Sequence, residues 1–322
     1  MSSIRKLLTP VRILYLGKAL EGAAYSSCMP FLLVHFMKTL GMNAVASGVV
    51  LSAREMVPIF TALAMGWVVA KTCRKSVLVI SLAALSVSVL AFKTGFGGKS
   101  GLIVAALVSG LAYSSMRIAF SSAVADFTSK EDSVQAFAGL HAAANAGFAV
   151  GPLLSAYWVA RQDYSSAFWV SIGLYLLASL CIGALLPRVE HKDLEAAQSG
   201  SAREIFSSLG TPGAVLLFAT LMVLLVNGLR IQVDMLGMAK YFVDYFGSTR
   251  ATSLYWTIQS AAVVFLVPLS GRLMKQWPLK SLFSAYCAGS VVSAAAYVSL
   301  GCFRPGDLTL GFSVMTALSV VG

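Results

Sequence analysis

Ten apolar runs, at residues 11–36, 45–70, 77–95, 100–125, 135–159, 164–187, 212–235, 251–271, 279–301 and 307–322, take up most of the chain. A helix needs about 20 mainly apolar residues to cross a bilayer, and nearly every run supplies them. None alternates polar and apolar residues as the strands of an outer-membrane barrel do. The expected fold is an all-α polytopic membrane protein of about ten spans. Composition leaves little else. Of 322 residues, 58% are hydrophobic and 11% charged, against roughly 25% charged in a soluble domain. Such a chain cannot cover a water-facing surface, which sets aside soluble enzymes, disordered tails and nucleic-acid binders.

A formal net charge of +11 would suit nucleic acid if it were clustered, but it is dispersed over the connections. With the N-terminus in the cytoplasm, thirteen Lys and Arg fall on inner segments and seven on outer ones, leaving four inside spans. Lys and Arg are retained on the cytoplasmic side, so the N-terminus is expected there. The first run is longer than a signal-peptide core and is expected to stay as a span. The five cysteines are scattered without a CxxC pair. That predicts free, mostly buried thiols, with no metal site and no cofactor.

One long polar connection, RVEHKDLEAAQSGSAREIFSSLGT, separates six runs from four. The expected layout is an N-terminal six-helix bundle at 1–187, a cytoplasmic central loop at 188–211, and an incomplete C-terminal bundle at 212–322. The segments GWVVAKTCRKS from Gly66 and GRLMKQWPLKS from Gly271 both open with Gly, carry Lys tenth and close with Ser. They lie six spans apart, which suggests two related halves, a transporter architecture.

On these residues the chain resembles the major facilitator superfamily. Gly66, Lys71, Arg74 and Lys75 match the family's gating loop between spans two and three, with Ala70 in place of an acid and Cys73 in place of a glycine. Asp126 matches an acid at the inner end of span four, and either pairs with Arg74 or Lys71 or faces water. In span five, Gly147, Gly151 and Pro152 fit the G-x-x-x-G-P core of the antiporter signature. Small residues four apart let helices approach closely, and proline permits a bend. Ala106 stands where the family's span-four arginine would be, and Arg117, lower on that helix, does not inherit its role by position.

The layout is similar to the drug:proton antiporter branch, which includes bacterial multidrug exporters. That resemblance implies a two-bundle helical fold of twelve spans, so two spans are expected to be missing here. It implies a monomer in the bacterial inner membrane that exchanges small amphipathic or cationic molecules for protons by alternating access. Its partners would be a small-molecule substrate, protons and the lipid bilayer, with no nucleic acid. Two alternatives stand: a nutrient importer of a sugar or carboxylate on the same fold, or a non-transporting or truncated membrane protein. No catalytic motif argues for an enzyme.

An ionisable group inside a span costs a few kcal/mol, roughly, and so invites a functional reading. Lys18 and Glu21 share a helical face. They either neutralise each other locally or leave Glu21 to a proton or a cationic substrate. Arg54 and Glu55 are adjacent, about 100° apart on a helix, and are expected to contact different neighbours. Glu55 is a candidate proton carrier, or a partner for Arg117 or Arg230. Asn227, Arg230 and Asp234 form a stripe in span seven, with Asp234 a further coupling candidate. His141 and Asn145 share a face of span five, and Gln259 sits in span eight. All are candidates for the cavity or the substrate.

Overall fold

The computed structural model describes residues 9–129, 131–188 and 253–264, together with Ser281, Ser284 and Ala288. The chain divides into two compact units, one of residues 1–190 with 239–268, the other of 191–238 with 269–322. Apart from the three single residues, everything described lies in the first unit, and it is all helix with short connections. The expected spans at 212–235, 279–301 and 307–322 lie outside the described residues, single positions aside.

Seven α-helices follow one another: α1 Pro10–Cys28, α2 Leu32–Lys38, α3 Ala44–Lys71, α4 Arg74–Thr94, α5 Gly98–Asp126, α6 Ser133–Ala160 and α7 Tyr164–Leu185. Among the described residues, α3 to α7 are each long and apolar enough to cross a membrane. α1 carries three charges, Arg12, Lys18 and Glu21. The first apolar run is not one continuous helix, as its composition had suggested. It breaks into a 3₁₀ turn at Met29–Phe31 around Pro30, which has no N–H to donate to the helical ladder.

Local chemistry sets the ends. Pro10 opens α1, where its missing N–H is harmless and its fixed φ suits the helix. The side chain of Asn43 caps α3 by accepting from the Ala46 amide at 2.7 Å, and Asp163 caps α7 by accepting from the Ser166 amide at 3.0 Å. α4 ends on Gly95 with φ +66°, the left-handed conformation that glycine adopts freely.

The helices pack in an open series: α6 on α1, α1 on α7, α7 on α4, α4 on α5 and α5 on α3. Lipid offers no hydrophobic drive between helices, so close fit and interhelical hydrogen bonds must hold them. Both occur. A Cβ on Gly147 of α6 would meet the Ala19 carbonyl and come within 2.8 Å of the Ala23 amide of α1, and one on Gly151 would meet the Ala23 carbonyl. The Tyr15 hydroxyl donates to the Ala136 carbonyl at 3.0 Å, Ser171 to Ala24 at 2.7 Å, and Ser179 to Val79 at 3.0 Å. Cys28 is a free, buried thiol 3.2 Å from the Ser171 hydroxyl.

Candidate functional site

Two acid–base pairs sit inside the apolar helices, one on α1 and one on α3. On α1, Lys18 Nζ meets Glu21 Oε2 at 2.7 Å, with the Glu21 side chain fully buried and Lys18 13% exposed. The Lys18 amine also lies 5.4 Å from the centre of the Phe120 ring on α5. On α3, Arg54 pairs with Glu55, and here the exposures are reversed: 3% for the guanidinium, 28% for the carboxylate. The adjacent residues do not turn to different neighbours. The long guanidinium arm curls back over the 100° that separates their Cβ directions.

Arg54 is held from three further sides. Its Nε donates to the Ser109 hydroxyl of α5 at 3.1 Å. Its guanidinium carbon stands 5.3 Å from the Tyr25 ring centre and 5.1 Å from that of Tyr113. Those two rings stack on each other at 5.5 Å, and Phe148 of α6 packs 5.8 Å from Tyr25. Electron-rich ring faces stabilise a cation where water is absent. Tyr175 of α7 is fully buried and lies in the electrostatic field of Glu21 and Arg54. Glu21 Oε1, Arg54 Nη2 and the Tyr175 hydroxyl are buried without hydrogen-bond partners. The result is one polar, aromatic-lined zone to which α1, α3, α5, α6 and α7 all contribute.

The other sequence candidates scatter. Arg117 is exposed and lies 5.7 Å over the Tyr113 ring, on the rim of that zone rather than paired with Glu55. His141 is exposed, and Asn145 donates to its backbone carbonyl at 2.9 Å. Gln259 is half-buried in the helical segment 253–264, which reaches α6 through the Thr257 hydroxyl donating to the Ala149 carbonyl at 3.1 Å. Asn227, Arg230 and Asp234 lie outside the described residues.

At the α3–α4 connection, Arg74 Nε lies 3.4 Å from Asp126 Oδ2, which ties α4 to α5. The Arg74 guanidinium also donates to carbonyls at the end of α3, those of Val69, Ala70 and Thr72. Those carbonyls have no partner within the helix, so one side chain closes α3 and links it to α5. Lys71 turns away, with its amine 4.1 Å over the Trp67 ring. Gly66 has open space where a Cβ would stand. Lys75 faces a separate cavity.

Sequence reasoning named the charged members of the zone but missed Tyr25, Tyr113, Ser109, Phe148 and Tyr175. A signal existed for two of them. Tyr25 lies four residues after Glu21, and Tyr113 four before Arg117, so each shares a helical stripe with an intramembrane charge.

The family model described as Major Facilitator Superfamily matches residues 14–322. No match is found among curated proteins. Among solved structures, the nucleoside transporter NupG in an alanine-substituted form is similar at a TM-score of 0.72 and 14% identity, covering 97% of this chain and 79% of that one. The unsubstituted NupG gives a TM-score of 0.68, also at 14% identity, covering 98% and 78%. A bacterial homolog of the human lysosomal transporter Spinster, inward-facing and unoccupied, gives 0.72 at 12% identity, covering 98% and 72%. At these identities the likeness is one of fold.

Proposed function

The chain belongs to the major facilitator superfamily, and we propose that it is a secondary transporter rather than an enzyme, one that exports small amphipathic or cationic molecules in exchange for protons. Transport would proceed by alternating access between helical bundles at 1–187 and 212–322, joined by a cytoplasmic connection at 188–211, in a bacterial inner membrane. The observation that carries this reading is the Arg54–Glu55 pair, a fully desolvated cation whose neutralising carboxylate reaches the surface of the unit.

The mechanism follows from that asymmetry. Arginine does not give up its proton in a protein. When Glu55 takes a proton, Arg54 is left as an uncompensated charge among Tyr25, Tyr113 and Ser109. A buried charge without its partner costs several kcal/mol, roughly, enough to shift a balance between two conformations. The same protonation removes the negative charge that would attract a cationic solute, so proton and cation compete for one carboxylate. The stacked tyrosines offer an apolar, planar surface to an amphipathic molecule. Gly147 and Gly151 let α6 lie close against α1, beside this zone.

The test is proton-driven uptake of a lipophilic cation by everted vesicles. Glu55→Gln, which lacks the carboxylate that proton and cation share, abolishes the proton-driven component and weakens counterflow of the cation. Undiminished proton-driven uptake in that variant would remove Glu55 from coupling.

A second reading, import of a nutrient on the same fold, is favoured by the fold likeness to a nucleoside transporter and by a guanidinium beside two stacked tyrosine rings, which suits a planar polar solute. Uptake of labelled nucleoside by right-side-out vesicles, absent in Tyr113→Ala, would support import over export.

A further inference from the structure

Away from this zone, a cavity of about 380 Å³ opens where the start of α1, the start of α4 and the end of α7 meet. Its volume falls in the ~300–1,000 Å³ range of small-ligand sites. The apolar part of its wall includes Ile13, Leu185 and Leu186, and its polar part is Lys75 of α4 and Arg188 beyond α7. No acid is among the described residues that line it.

Two helices begin here, and neither Thr9 before α1 nor Cys73 before α4 makes a side-chain cap. Neither first turn contains an acid. The dipoles of both N-termini therefore add positive potential to that of the two cations. Cys73 senses it. Burial alone would raise its thiol, but the Ser76 and Lys75 amides, the Ser76 hydroxyl and Arg188 outweigh that and hold it below the ordinary thiol range.

The wall is as informative as the charge. An inorganic anion gains nothing from an apolar wall, whereas an acyl chain is stabilised by one. Here two cations stand above apolar residues at the end of membrane-crossing helices, the level at which headgroups lie. Basic pockets between membrane helices suit anionic headgroups, each nearby Lys or Arg contributing about 1 kcal/mol.

We propose that this cavity binds an anionic phospholipid, its phosphate held by Lys75 and Arg188 and an acyl chain lying against Ile13, Leu185 and Leu186. The site is independent of the Arg54–Glu55 zone and holds whatever solute is carried.

Native mass spectrometry of the full chain in detergent tests it, with phosphatidylglycerol, phosphatidylcholine of the same acyl chains, and inorganic phosphate added separately. Retention of phosphatidylglycerol should exceed that of phosphatidylcholine about thirtyfold, as two charges at about 1 kcal/mol each imply. Lys75→Gln with Arg188→Gln should bring the two lipids to parity. The charge-keeping pair Lys75→Arg with Arg188→Lys should retain the preference, as should Lys99→Gln, far along the chain. Equal retention by the unaltered protein, or a preference that survives the double glutamine change, overturns the proposal. Displacement of the lipid by millimolar phosphate would reassign the cavity to a soluble anion and overturn it as well.

A second readout needs no variant. N-ethylmaleimide should alkylate Cys73 several-fold more slowly in phosphatidylglycerol than in phosphatidylcholine nanodiscs, because a phosphate on Arg188 removes the field that favours the thiolate. An unchanged rate at that peptide counts against the proposal.

Discussion

The α1 and α3 helices each place one base and one acid inside the membrane, yet the two pairs are opposites. On α1 the acid is fully buried and the lysine reaches outward; on α3 the arginine is buried and the acid reaches outward. A lysine–glutamate pair can neutralise itself by passing one proton between its members. An arginine–glutamate pair cannot, because the guanidinium keeps its charge. Protonating the outward acid of α3 therefore strands a cation, whereas α1 has a way to discharge. Of two pairs similar in composition, the one on α3 fits the proposed conversion of a proton into a conformational change, and the one on α1 neutralises itself within its own helix.

That contrast can be broken by measurement. The largest loss is expected for Glu55→Ala, which leaves Arg54 buried and unpaired. Thermal or denaturant unfolding in detergent at neutral pH should show a loss of ~3–5 kcal/mol. A loss below ~1 kcal/mol would mean that the tyrosines and Ser109 alone compensate the charge, and the proposed lever would be gone.

Glu21→Gln should cost less, ~1–3 kcal/mol, because Lys18 reaches outward, where water can take up part of its charge. A deficit as large as that of Glu55→Ala would make the two pairs equivalent.

Charges outside the membrane set the lower end of the scale. Asp163→Ala removes the α7 cap and should cost ~1 kcal/mol. Hydrogen bonds from the Ser166 hydroxyl and amide hold the Asp163 carboxyl below its ordinary range. Its contribution is thus present above the ordinary carboxylate range and is lost as pH falls through the lower folded value, where variant and parent should converge. Asp126→Asn, which breaks the half-exposed link to Arg74, should cost ~0–1 kcal/mol, least of the four.

Much of the fold was legible in the sequence. The apolar runs at 45–70, 100–125 and 135–159 correspond to Ala44–Lys71, Gly98–Asp126 and Ser133–Ala160. The glycine spacing in α6 marked a face for close packing without naming α1, and the three-residue spacing of Lys18 and Glu21 allowed their pair while leaving Glu21 free for the cavity as an alternative. The break at Pro30 was readable too, since proline interrupts the ladder locally, but the apolar run hid it. The partners of Arg54 were not legible. Ser109 and Tyr113 lie 55 and 59 positions along the chain, and no helical periodicity links residues on different helices.

What the sequence determined by itself was the solvent and the elements within it. A lipid core admits only backbone that bonds to itself, so runs of about 20 apolar residues must be helices. What only the tertiary structure decided was which charge is buried and which is open. That depends on how each helix is rotated about its axis and on what its neighbours bring to the contact. The rotation is set by close packing at residues such as Gly147 and Gly110, which admit the backbones of α1 and α3 respectively. It turned two similar acid–base pairs into one inward acid and one outward acid.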